Sequence, residues 1–152
     1  MAEAPARPVD RLLLFDVNLL VALCVTTHQH HRAAHRFLAQ VSGRWATCPV
    51  TEASLYRLLL NPSVTGSQRS VGEVTRVIRG LRQDPRWTFL PDPTTLAQPA
   101  VDTSVLMGHQ QVTDLHLVNL AAHHGSVLAT FDSALPTWVA PSDRSHVLVV
   151  PA

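Results

Sequence analysis

The chain contains no lysine: all twelve of its basic residues are arginine. That absence excludes Schiff-base chemistry, phosphate loops built on a lysine and Ser–Lys dyads. Cysteine is scarce as well. Cys24 and Cys48 lie in apolar stretches without C-x-x-C spacing, which predicts small buried hydrophobes and no disulfide scaffold. The expected setting is therefore reducing and cytoplasmic. Six scattered glycines form no G-x-G-x-x-G, so a dinucleotide-binding fingerprint is absent. The apolar run over residues 12–25 is broken by Asp16 and Asn18 and is too short to span a membrane. The first eleven residues include Glu3, Arg7, Asp10 and two prolines, which is not the pattern of a signal peptide. An excess of one charge is also missing. Twelve basic against eleven acidic residues leave a net charge of +1, which excludes a molecule that coats nucleic acid by bulk charge.

What is present fits one packed domain. The chain has 152 residues, 46% of them apolar and 15% charged, and chains of this size bury enough surface for a working core. Residues 1–10 read as a flexible lead-in and 11–152 as the domain. Short apolar runs at 12–15, 45–48, 87–90, 127–130 and 147–150 have the pattern of strands buried on both faces. Between them, helical spacing marks 17–25, 28–41, 71–82 and 114–124. A further helix is predicted from Thr51, taken as its N-cap, to about Leu60, where Asn61-Pro62 stops it. Residues 94–107 are weakly helical and broken by Pro99, and 109–113 read as loop. Strands alternating with helices predict an α/β fold, a three-layer α/β/α domain with a central parallel sheet of about five strands.

Four acids share one kind of position in this plan. Asp16 ends the first strand and Asp132 follows the fourth; Glu52 and Asp114 open helices. Strand ends and helix starts of an open α/β sheet lie on one rim, where ligands bind. Each acid taken alone reads as readily as a helix cap. Together they form a set, because Glu73, Asp84, Asp92, Asp102 and Asp143 fall instead in loops or on exposed helix. Clustered carboxylates raise one another's pKa and need a counter-charge. With no lysine in the chain and no arginine beside Asp16, Asp114 or Asp132, a hard divalent cation is the natural solution. Mg²⁺ takes oxygen ligands and couples water activation to phosphodiester chemistry.

His28, His30, His31 and His35 crowd near Cys24, but without H-E-x-x-H they read as a solvated helix face rather than a zinc site. Arg76, Arg79, Arg82 and Arg86 fall on one side of a helix and are candidates for RNA contact, since the arginine fork suits phosphate. A receiver domain or a haloacid-dehalogenase-like phosphatase needs a lysine near the site, and the phosphatase also needs an Asp where Asn18 stands.

Taken in order, these residues resemble a known family. Leu14-Phe15-Asp16-Val17-Asn18, Thr51-Glu52 with Arg57 and Asn61-Pro62, Val112-Thr113-Asp114 followed by Gly125, and Ala129-Thr130-Phe131-Asp132 are similar to the motifs of PIN-domain ribonucleases. The particular likeness is to the VapC-type toxins of bacterial toxin–antitoxin pairs. The resemblance implies a Mg²⁺-dependent endoribonuclease, with Mn²⁺ as a substitute. Its implied catalytic set is Asp16, Glu52, Asp114 and Asp132, with Asp16 and Asp114 as principal metal ligands and the other two in support. Asn18 and Thr130 would orient the site, and Arg57 would lie near the RNA groove. A homodimer and a neutralising VapB-type antitoxin are implied as well. The acidic site could itself receive a basic side chain of that antitoxin. The alternative is a catalytically silent PIN domain acting as an RNA- or protein-binding module.

Overall fold

The computed structural model describes Arg7 and residues 10–152; most of the lead-in expected at 1–10 lies outside the described residues. Five parallel strands form one sheet in the order β3-β2-β1-β4-β5: β1 (Leu13–Phe15), β2 (Trp45–Thr47), β3 (Trp87–Phe89), β4 (Val127–Thr130) and β5 (Val147–Val149). Helices cover both faces, as the three-layer expectation required. The cause is visible in the pleat, since neighbouring side chains on a strand point to opposite faces. Leu13, Phe15, Trp45, Val127 and Ala129 pack on one side with helices α1 (Val17–Cys24), α2 (His31–Gln40), α3 (Pro49–Leu59) and α5 (Val71–Leu81). Leu14, Ala46 and Leu128 pack on the other with α6 (Val112–His123) and with Leu135 of the short α7 (Leu135–Trp138). Leu13, Leu14 and Leu128 have no exposed surface, so truncating any of them to Ala should cost about 2–5 kcal/mol.

Several helix boundaries differ from the sequence reading. α3 starts at Pro49 and is capped by Cys48, not Thr51. Thr51 sits one turn in, where its hydroxyl accepts from the Cys48 backbone N–H at 3.0 Å. A proline in the first turn needs no hydrogen-bond partner for its nitrogen, which moves the start back. Asn61 caps the short α4 (Pro62–Thr65), accepting from the Ser63 N–H at 3.0 Å. α6 begins at Val112, so Asp114 lies within its first turn instead of opening it. The weak helix expected at 94–107 does not form; only a 3₁₀ turn, Thr103–Val105, appears there. Asp143 is buried, not in an exposed loop, and accepts the Asp102 N–H at 2.9 Å. The histidine segment is also reassigned. His31 Nδ1 lies 2.7 Å from the Ala22 carbonyl and His35 Nε2 lies 3.1 Å from that of Leu23. Both imidazoles therefore cap the open C-terminal end of α1, His31 half-buried and His35 still exposed to solvent as expected.

The strand order places the site. From β1 the chain winds outward to β2 and β3, then returns to β4 on the other side of β1. Such a reversal opens a crevice at the carboxyl ends of the two central strands. Asp16 follows β1 directly, and Thr130, Phe131 and Asp132 carry the chain out of β4.

Candidate active site

Asp16 is the most constrained acid of the rim. It is 5% exposed and caps α1, accepting from the Val17 N–H through Oδ1 at 2.7 Å. Its Oδ2 accepts the Thr130 hydroxyl proton at 2.8 Å. That hydroxyl in turn accepts from Asn18 Nδ2 at 2.9 Å and from the Asp132 N–H at 3.1 Å. Asn18 completes the clamp by accepting the Phe131 N–H through Oδ1 at 3.1 Å. The two strand tips are thus sewn together by Asn18 and Thr130, which aim Asp16 and fix the backbone that carries Asp132. Burial raises the Asp16 pKa against the Thr130 and Val17 hydrogen bonds, and the Asp132 charge adds to the rise.

Asp114 reaches the same crevice from the first turn of α6. Burial and then the charges of Asp16 and Asp132 push its pKa up to about 6. The three carboxylates are therefore neighbours that repel one another, although 98 residues separate Asp16 from Asp114 (114 − 16). Among the described residues no arginine or histidine forms an ion pair with any of the three. Nor do three His, Cys, Asp or Glu side chains among them close into a metal cage. Mg²⁺ needs no such cage, because it keeps several waters and usually takes only one or two carboxylates. An open group of oxygen donors carrying excess negative charge fits that ion. The zinc alternative at the histidines finds no ligand group among the described residues either.

Glu52 stands apart from this trio. It lies on α3, and its Oε1 accepts from Thr47 Oγ1 at 2.7 Å and from Arg82 Nε at 3.1 Å. An arginine thus adjoins one of the four rim acids. The sequence could not show this, because thirty residues separate the pair. The arginines expected on one helix face also divide. Arg76 and Arg79 are exposed on α5, whose Val74 and Ile78 face the core. Arg57 is exposed on α3. Arg82 and Arg86 lie beyond the end of α5. The Arg86 guanidinium binds both carboxylate oxygens of Asp84 and donates to the Leu38 and Val41 carbonyls at 2.9 and 2.6 Å. Its donors hold α2 to the turn before β3. Sequence reasoning did not single out Thr47 or Trp87, and it quoted Phe131 within a motif without giving it a role. Thr47 ends β2 five residues before Glu52, and that spacing was the only signal available. His30 stacks on the Phe131 ring at 4.9 Å, beside Asp132.

Comparison with known proteins agrees with this architecture. Residues 13–137 match the PIN domain family, to which the chain therefore belongs. Its relatives narrow the class to VapC ribonucleases. Ribonuclease VapC38 of Mycobacterium tuberculosis (strain ATCC 25618 / H37Rv) is 40% identical over 137 residues, covering 90% of this chain and 96% of that protein. Ribonuclease VapC39 of the same strain is 40% identical over 124 residues, covering 80% and 89%. The crystal structure of M. tuberculosis VapC20, a sarcin-ricin loop cleaving toxin, superposes with a TM-score of 0.52 at 13% identity. It covers 88% of this chain and 92% of its own, and shows the shared fold.

Proposed function

We propose that the protein is the toxin of a toxin–antitoxin pair and acts as a Mg²⁺-dependent endoribonuclease. The observation that carries this is the convergence of Asp16, Asp114 and Asp132 on the switch-point crevice, where Thr130 and Asn18 tie the strand tips together, with no arginine paired to the three acids among the described residues. Asp16 and Asp114 would hold the cation, or Mn²⁺ in its place. When bound, such an ion offsets negative charge on the scissile phosphate and lowers the pKa of water. Asp132 completes the acidic wall, on a backbone that Thr130 and Asn18 fix. Thr130 also keeps Asp16 in one orientation by donating to it, and ligands held this way lose less freedom on binding metal. Glu52 supports the site from one strand away. The exposed Arg57, Arg76 and Arg79 would meet the RNA backbone.

Two partners follow from the same reading. A VapB-type antitoxin would neutralise the enzyme by placing a basic side chain among the three acids, competing with the cation. A second copy of the chain would form a two-fold dimer. No helix of the described residues is long and apolar enough to cross a membrane, and we place the protein in the cytoplasm with its RNA. Purified protein incubated with total cellular RNA tests the activity. New 5′ ends appearing with Mg²⁺ and absent with EDTA support it. RNA that is bound and never cut would instead establish the silent binding module.

A further inference from the structure

We propose that Arg82 is a preorganised clamp for an RNA phosphate, and that Glu52 serves the enzyme by positioning this arginine rather than by binding metal. The inference rests on the ribonuclease reading above. Five contacts build the clamp. Trp87 Nε1 donates to Thr47 Oγ1 at 3.0 Å. That donation occupies the acceptor side of the hydroxyl, and Thr47 passes its own proton to Glu52 Oε1 at 2.7 Å. The same Oε1 accepts Arg82 Nε at 3.1 Å. The Arg82 guanidinium carbon lies 4.4 Å from the centroid of the Trp87 ring and 5.3 Å from that of Phe89. A guanidinium held on an aromatic face and by one charge-assisted bond has few orientations left.

Only the Nε–H is engaged. Among the described residues Arg82 Nη1 and Nη2 make no hydrogen bond, and the side chain is 38% exposed while Glu52 is 18% exposed. The carboxylate is thus held by Thr47 as well as by Arg82. A fork with two free –NH₂ groups matches two oxygens of a phosphate. The β1–β2 register sets Leu14 beside Ala46, so Thr47 stands level with Phe15, one residue before Asp16. Adjacent strands are about 4.8 Å apart. The clamp therefore lies on the same rim as the three acids and displaced toward β3. An RNA strand crossing the rim would meet the acids at one phosphate and Arg82 at a neighbouring one.

The test separates RNA binding from metal binding. A fluorescein-labelled stem-loop RNA is titrated in EDTA with wild type, Arg82→Ala, Arg82→Lys, Glu52→Ala and the Arg82→Ala/Glu52→Ala pair, at several salt concentrations. Mg²⁺ binding without RNA is measured on the same proteins by calorimetry, with circular dichroism to confirm folding. The clamp predicts that Arg82→Ala weakens RNA binding about tenfold, the loss of one or two charge-assisted hydrogen bonds. The slope of log K against log salt should fall by about one phosphate contact. Arg82→Lys should keep most of that slope and lose much of the affinity. Glu52→Ala should weaken RNA binding in the same direction, the double variant should add little beyond Arg82→Ala, and Glu52→Ala should bind Mg²⁺ like wild type. Wild-type affinity and slope in Arg82→Ala, RNA binding by the wild-type protein that does not depend on salt, or loss of Mg²⁺ binding in Glu52→Ala would each overturn it. Failure of the ribonuclease reading looks different: wild type would then bind the RNA and never cut it with Mg²⁺ present, whatever Arg82→Ala does to affinity.

Discussion

One hydroxyl carries much of the site. Thr130 donates to Asp16 and accepts from Asn18 and from the Asp132 backbone, so Thr130→Val removes three hydrogen bonds while nearly conserving shape. We expect activity to fall by about 10–100-fold, the usual cost of losing a partner of a metal-ligating group, and stability to fall by about 1–3 kcal/mol. Thr130→Ser should recover most of both. Asp114 behaves in the opposite sense. Its folded pKa of about 6 lies above the ordinary carboxylate value, so the ionised form strains the fold. The associated stability is fully present below the unfolded pKa and is lost as pH rises through about 6. Without metal, wild type should therefore melt higher at pH 5 than at pH 7, and Asp114→Asn should reduce that difference, leaving the part that the raised Asp16 contributes. At pH 7 the variant should melt higher by roughly 2–4 °C, the shift that ~1 kcal/mol gives in a domain of this size once solvent screening is allowed for. A variant that melts lower at pH 7 would show that Asp114 is not under repulsion.

Among the elements, the turn between α5 and β3 shows how local charge stabilises packing. The Arg86 hydrogen bonds hold the Asp84 carboxyl down at about 2, and the same guanidinium bridges to α2 carbonyls. Arg86→Ala should cost about 2–3 kcal/mol in chemical denaturation near neutral pH. The Asp84 share of that difference is present above its unfolded pKa and is lost as pH falls through about 2. RNA affinity measured by the same salt titration should stay at the wild-type value. The strands and the long helices were legible because their apolar periods are strong: α5 reads correctly from Val74, Val77, Ile78 and Leu81. Its far end was less legible. Arg82 and Arg86 continue the spacing in sequence, while the chain has already left the helix. The cap of α3 was missed because cysteine is an uncommon capping residue and Thr51 offered the commoner one. Gly125, by contrast, was readable as a helix terminator, and its φ of 63° confirms the left-handed turn that links α6 to β4.

At the scale of the whole molecule, the site exists because the winding of the chain across the parallel sheet reverses between β1 and β4. Asp16 and Asp132 were identifiable from the sequence because each follows an apolar strand directly, and Asp114 because it precedes one by a single helix. The Glu52 pairing with Arg82 was not, since it arises only when α3 and the end of α5 meet. A two-fold dimer would bring two such crevices together; light scattering should give twice the 16.6 kDa chain mass at micromolar concentration. The central claim is the proposal that Asp16 and Asp114, with Asp132 beside them, would hold a cation required for RNA cleavage. Its most direct test follows cleavage of a labelled structured RNA while Mg²⁺ is titrated into EDTA-stripped protein. Wild-type cleavage should rise from nothing to saturation, and Asp114→Asn, folded and more stable without metal, should stay flat throughout. Cleavage by wild type before any Mg²⁺ is added, or an Asp114→Asn curve that overlays the wild type, would contradict the account.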